Sequence, residues 1–222
     1  MSETRTFFNF SFFKIDPKWR WMADLAKEES AKEIDHVLRN SKTKYRTYST
    51  LGLRDDAEFL IWFASESIDD IQNTISKLYT TVFGKYIIPS HVYLSCTRPS
   101  IYAKTGRTSS FIAGEEAKKY VVVYPFVKTR DWYLLPLEQR KKMMDEHIEV
   151  GHKYPQVLLN TTYSFGIHDE DFMLAFESDE LNAFQDLIME LRETQVSKYI
   201  ERDTPMIVCV KKDIIPLISS LG

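Results

Sequence analysis

Asp56-Ala57-Glu58-Phe59-Leu60-Ile61-Trp62-Phe63 returns 113 positions later as Asp169-Glu170-Asp171-Phe172-Met173-Leu174-Ala175-Phe176, and a serine and an acid follow each copy, Ser65-Glu66 and Ser178-Asp179. An acidic lead-in to a short apolar run reads as a strand, and the polar break after it opens a helical pattern. Phe10-Ser11-Phe12-Phe13-Lys14 likewise precedes Tyr124-Pro125-Phe126-Val127-Lys128 by 114 positions, with an aromatic residue and a lysine in register. Any two amphipathic strands resemble each other a little. Two matching pairs at nearly one offset favour duplication over chance.

Working outward, strand-like runs fall at about 7–14, 43–51, 57–65 and 88–96, with helical periodicity at 17–39 and 67–81. The second half repeats the order, with strands near 119–128, 156–165, 170–177 and 205–211 and helices near 135–152 and 179–199. β-α-β-β-α-β is the order of the ferredoxin-like split βαβ unit, in which helices cover one face of an antiparallel sheet. The expected class is α+β, with two tandem ferredoxin-like units forming a dimeric α/β barrel within one chain. Residues 1–96 form the first unit, 97–117 a polar, glycine-containing linker loop, and 118–222 a second unit that carries the site.

The 222 residues are 44% hydrophobic and 27% charged, enough apolar side chain for a packed core, which excludes a disordered chain. With 29 basic residues against 32 acidic ones the net charge is −3, whereas nucleic-acid binders carry a basic excess. Only 7 glycines, no phosphate loop and no Gly-x-Ser-x-Gly elbow leave nucleotide and hydrolase readings without support. Phe7 to Phe13 is interrupted by Asn9 and Ser11, and no stretch approaches the ~20 apolar residues of a membrane-spanning helix, so a soluble, cytoplasmic protein is expected. Cys96 and Cys209 each sit in a strand-like run and read as buried thiols.

The informative residues are those the second half has and the first lacks. Helical spacing places Met143, Met144, His147, Ile148 and Gly151 on one stripe, and an ungapped count sets His147 against Glu33. A lone histidine on an apolar face is ordinarily a core or interface residue. Imidazole is also the commonest metal ligand, and haem iron needs only one. His147 and His152 are five apart and share no face, so a zinc cage is not expected. Tyr124 and Lys128 share one side of a regular strand, although Pro125 signals an edge or a bulge. They read either as an inward tyrosine and a strand-end lysine or as a phenol beside a cation on a cavity wall. Trp132-Tyr133 would add amphipathic surface at the same rim.

With these residues laid out, the segment from Tyr124 to about Val210 resembles the chlorite dismutase-like superfamily, and within it the coproheme decarboxylase, or haem-dependent peroxidase, branch. The matching strings are Tyr124-Pro125-Phe126-Val127-Lys128, Trp132-Tyr133-Leu134-Leu135 with Glu138 and Arg140, Met144-Asp145-Glu146-His147, and Val196-Ser197-Lys198-Tyr199.

The resemblance implies an oxidoreductase that binds haem b or iron coproporphyrin III, with peroxide as co-substrate, and assembles as a homo-oligomer, typically a pentamer. It assigns His147 as the iron ligand, Tyr124 as the catalytic radical residue, Lys128 as the catalytic lysine serving the propionates, and Ser197 as a contact to the porphyrin carboxylates. The upstream propionate-binding arginine lands on Ser110, and one loop rearrangement carries its role to Arg107 three residues away, so the resemblance implies a cofactor-binding set of Arg107, Ser110, Tyr124, Lys128, Asn160 and Ser197. The distal position falls on Asn160 counting from His147 and on Leu159 counting back from Gly166. Neither is the arginine that chlorite chemistry would use, so oxidative decarboxylation of iron coproporphyrin III to haem b is expected. A non-catalytic or sensing haem-binding protein is the alternative, and a cofactor-free barrel acting on small aromatic substrates stands behind it.

Overall fold

The computed structural model describes residues 4–102 and 109–222. The chain divides into two compact units, Met1–Cys96 with Val208–Gly222, and Thr97–Ile207.

The first unit runs β1 (Phe7–Ile15), a 3-10 turn (Pro17–Trp21), α1 (Asp24–Arg39), β2 (Lys44–Ser49), β3 (Phe59–Ser65), α2 (Ile68–Thr80) and β4 (Ile87–Cys96). The second runs α3 (Ser110–Ala113), β5 (Tyr120–Lys128), α4 (Arg130–Leu134), α5 (Leu137–His152), β6 (Leu158–Tyr163), β7 (Phe172–Ser178), α6 (Leu181–Glu193), a 3-10 turn (Gln195–Tyr199) and β8 (Ile200–Arg202). β9 (Ile207–Lys211) and α7 (Ile214–Ser219) close the chain. Within each unit the named strands pair antiparallel. β1 lies between β3 and β4 and β3 pairs with β2 in the first unit, while β7 lies between β5 and β6 and β5 pairs with β8 in the second.

The first unit closes its helix-facing side completely. Phe13, Phe59, Ile61 and Phe63 from the sheet meet Ala31, Ile34 and Leu38 of α1 and Ile71 and Leu78 of α2 in one buried cluster. Fully burying such side chains contributes roughly 1.5–3 kcal/mol each. Ser67 caps α2 by accepting from the Asp70 amide, and Asp69 and Asp70 place negative charge at the positive end of the helix dipole. α7 adds Ile214, Leu217 and Ile218 to the same cluster.

Two expectations need correction. The strand expected at 205–211 does not complete the second unit. It becomes β9, pairing with β2 at Tyr48↔Lys211 and Ser49↔Val210, so the compact second unit ends at Ile207 rather than 222. The three-residue β8 takes the fourth place, because Thr194, extended at ψ 154, stops α6 early and frees residues 200–202 to pair with β5. The expected linker 97–117 is counted in the second unit and holds α3, closed by Gly114 at φ 74, a left-handed turn that favours glycine.

The repeat is tighter than the sequence suggests. β1 and β5, α1 and α5, β3 and β7, and α2 and α6 each begin 113 residues apart, as do the short turns that begin at Pro17 and Arg130. Strand pairing fixes the register independently. Ser11↔Ile61 corresponds to Tyr124↔Leu174, so Tyr124 matches Ser11 and not Phe10, and Lys128 matches Ile15. A one-residue slip moves a side chain to the opposite face of a sheet, and the 114-residue alignment of the first strands made that slip.

Candidate functional site

The two faces of the β5–β6–β7 sheet differ. Val121, Val123, Met173, Ala175, Asn160 and Thr162 share one face and are buried. Tyr124, Phe126, Leu174, Phe176, Leu159 and Thr161 share the other, because Tyr124↔Leu174↔Thr161 and Phe176↔Leu159 are cross-strand partners. That second face is only half closed: Tyr124 is 3% exposed and its ring stacks on Phe176, yet Leu159 is 45% exposed. Burial raises the Tyr124 phenol above its ordinary pKa, so it stays protonated at neutral pH.

Lys128 ends β5 at a bulge between Val127 and Lys128. Its ammonium sits 4.2 Å from the Trp132 ring centre and 5.3 Å from that of Phe126, but Nζ is buried without a hydrogen-bond partner. Burial lowers its pKa to about 8, against the opposing pull of Asp171. A cation–π contact offsets part of the desolvation and leaves the ammonium's hydrogen-bonding capacity unmet.

Asp171 organises this corner. One carboxylate oxygen accepts from the Lys128 amide at 2.8 Å and from the Tyr133 hydroxyl at 2.7 Å, which reinforces the rise that burial imposes on Tyr133. Glu58 holds the matching place in the first unit, where Oε2 accepts from the Ile15 amide at 2.7 Å and Oε1 from Arg20 at 2.6 Å. The sequence reading missed this acid pair as a functional feature, although both acids lie inside the repeated string.

His147 stands on α5, a helix with no fully buried residue. Met143, Met144, His147, Ile148 and Gly151 are all half-buried. Polar contacts hold the helix instead. Glu146 accepts from the Gln195 amide at 3.2 Å, and Glu190 of α6 receives Tyr154 Oη at 2.6 Å and Lys153 Nζ at 2.5 Å. Burial, aided by the Lys128 charge, lowers the His147 pKa to about 4, so the ring is neutral near pH 7. Nδ1 is buried without a partner. Ser197 lies in the Gln195–Tyr199 turn that Glu146 caps, its hydroxyl donating to the Thr194 carbonyl at 2.7 Å.

The structure thus brings Lys128 within electrostatic reach of His147, sets Tyr124 four residues earlier on the strand that Lys128 ends, and puts Ser197 in the turn beside α5. It places Asn160 and Ser110 elsewhere. Asn160 Oδ1 accepts from the Ser110 amide at 3.1 Å, Asn160 Nδ2 donates to Glu177 at 2.9 Å and to the Ala175 carbonyl at 3.2 Å, and the Ser110 hydroxyl donates to Glu177. This closed, buried cluster is on the face opposite Tyr124, which removes both residues from the expected cofactor-binding set. Of the two distal candidates, Leu159 shares the Tyr124 face. Arg107 lies outside the described residues. Among the described residues no helix is long and apolar enough to cross a membrane, and no group of three or more His, Cys, Asp or Glu side chains could hold a metal ion.

The fold is mixed α+β, an antiparallel sheet with helices, and in the second unit it holds a neutral histidine within electrostatic reach of a lysine that lacks a hydrogen-bond partner. The chlorite dismutase family model matches residues 27–212, and the chain belongs to that family. Over 175 residues, 78% of this chain and 75% of the relative, it is 35% identical to a coproheme decarboxylase of Mycolicibacterium smegmatis. Solved structures show the same fold. The chlorite dismutase of Candidatus Nitrospira defluvii in complex with imidazole has a TM-score of 0.89 at 20% identity, covering 97% of this chain and 94% of that one. A mutant of that enzyme also reaches 0.89 at 20% identity, covering 100% and 96%.

Proposed function

We propose that this chain binds an iron porphyrin, haem b or iron coproporphyrin III, on the Tyr124 face of its second unit, and that it uses peroxide to convert iron coproporphyrin III into haem b. The observation that carries this reading is the coincidence of two buried, hydrogen-bond-orphaned nitrogens, His147 Nδ1 and Lys128 Nζ, beside a half-closed apolar face. Buried polar groups are ordinarily paired, so an imidazole nitrogen and an ammonium that both lack partners, the lysine charge reaching the histidine, fit a ligand with an acceptor metal and rim carboxylates. The relative named coproheme decarboxylase supports the choice of porphyrin.

In this reading His147 is the axial ligand. A ring kept neutral by burial already offers a lone pair, so no proton must leave before it binds a metal. Lys128 neutralises a propionate and gains the hydrogen bonds it lacks, and Ser197 contacts a second carboxylate. Bound iron would supply the redox chemistry, with peroxide as oxidant. Tyr124, held protonated by burial, would lose its hydroxyl hydrogen as a proton and an electron to the peroxide-oxidised centre and then take a hydrogen atom from a propionate carbon. Departure of that carboxyl group as carbon dioxide would release a second electron to the same centre, so each vinyl group formed consumes one peroxide and one proton and yields two waters, and a second round completes haem b. Leu159 offers no hydrogen bond on this face, which weighs against stabilising an oxyanion such as chlorite.

We read both units as ferredoxin-like and the assembly as a homo-oligomer, a pentamer by family resemblance, in the cytoplasm. The test is reconstitution with iron coproporphyrin III followed by peroxide titration. The porphyrin mass should fall by two carboxyl losses, and Tyr124→Phe should stop the loss with the Soret band intact. An unchanged mass with His147-dependent binding would overturn the decarboxylase and leave the haem-binding or sensing protein. No binding at micromolar porphyrin would overturn both.

A further inference from the structure

Glycine inside a helix needs a reason, and the backbone gives none at Gly151. Its φ is not positive, unlike those of Gly52, Gly114 and Gly166, so it is no left-handed cap. Nor is it squeezed. A Cβ at Gly84 would collide with the Leu78 carbonyl, whereas a Cβ at Gly151 meets nothing within 4 Å.

The internal repeat says what belongs there when the space is to be filled by protein. α1 and α5 are both 16 residues long and 113 positions apart, so Ile34 matches His147, Leu38 matches Gly151 and Ala31 matches Met144. Ile34 and Leu38 are each 1% exposed and belong to the core cluster that joins α1 to its sheet. In α5 the matching pair is a histidine and, one turn on, no side chain at all.

We infer that Gly151 is a specificity-determining residue: its missing side chain gives a flat macrocyclic ligand of the tetrapyrrole class its room along α5, one turn beyond His147. The inference rests on the reading that such a ligand binds at His147. A planar ring bound through its central metal extends well past the ligating side chain, so it sweeps over the next turn of the helix that bears the ligand. A branched side chain at Gly151 would occupy that sweep, as Leu38 occupies it in the first unit.

The experiment is a haemin titration of the apoprotein, followed by the Soret band, for the unsubstituted chain, His147→Ala, Gly151→Ala and Gly151→Leu, with a thermal melt of each. Gly151→Leu should melt at or above the parent, since a good helix former replaces glycine, and should lose haemin affinity about 100-fold. Gly151→Ala should lose about three- to tenfold, and it carries the test if the leucine variant does not fold. Parent-like affinity in a folded Gly151→Leu, or in Gly151→Ala when the leucine variant fails to fold, overturns the inference while leaving the His147 reading standing. Failure of the parent to bind haemin, or binding unchanged by His147→Ala, overturns the underlying reading and the inference with it.

Discussion

Lys128 and Trp132 face each other across a single turn, the ammonium 4.2 Å from the centre of the indole ring. Asp171 fixes this arrangement from the backbone side by holding the Lys128 amide at 2.8 Å. The charge is therefore positioned before any anion arrives, and its desolvation is already part of the folded state.

That desolvation has a pH signature. The folded pKa of Lys128 is about 8, below that of an exposed lysine. Between those values the unfolded chain binds a proton that the folded chain does not, so stability rises with pH across the window and is lowest, as far as this group is concerned, below about pH 8. Lys128→Met should raise stability at pH 7 by roughly 2–3 kcal/mol and flatten that rise. Urea unfolding at pH 7 and pH 10 measures both; a rise of the same size in the variant would show that Lys128 is not its source.

His147 behaves in the same sense on the acid side. Its folded pKa is about 4, below the usual histidine value, so protonation favours the unfolded chain. Its stability contribution is intact above about pH 6.5 and is lost as pH falls toward 4. His147→Ile, which copies Ile34, should remove an acid-side loss of up to about 3 kcal/mol. Thermal melts at pH 7 and pH 4.5 should converge in the variant, and an unchanged gap between them would assign the acid sensitivity to another group.

The two faces of the second sheet can be told apart by neighbouring residues. Asn160→Leu breaks a buried cluster with Ser110 and Glu177, and should cost about 2–4 kcal/mol while leaving porphyrin affinity intact in the folded fraction. Leu159→Glu changes an exposed residue, so stability should move by less than about 0.5 kcal/mol, but a carboxylate on the Tyr124 face should weaken porphyrin binding at least tenfold, which is about 1.4 kcal/mol. Denaturant midpoints and Soret titrations on both variants decide it; the opposite pattern would put the ligand on the Asn160 face.

Much of this was legible in the sequence, and the misreadings share a physical origin. The repeated acidic string located β3 and β7 correctly, because only one register fits a run bounded by acid and serine. The first strand did not yield its register. Phe8, Phe10, Phe12 and Phe13 are all buried, so aromatic residues point to both sides of β1 and alternation carries no information about face. Matching Phe10 to Tyr124 by chemistry therefore cost one position. The same slip set His147 against Glu33 and hid the comparison with Ile34. Asn160 was drawn into the site by a count along the chain, which cannot see the pleat that turns it away from Tyr124. Asp171 and Glu58 stood in the quoted string, but their shared task of holding a strand-end amide is a hydrogen-bond pattern and leaves no periodicity.

β9 and α7 carry a last consequence, in the order of synthesis. The first unit needs residues 208–222 to pair with β2 and to bury Ile214, Leu217 and Ile218 against α1, yet those residues leave the ribosome after the whole of the second unit. The unit translated first is thus the one completed last. Until then the nascent chain displays the apolar flank of α1 and an unpaired edge of β2, the kind of surface that chaperones hold and that misassembles when they do not.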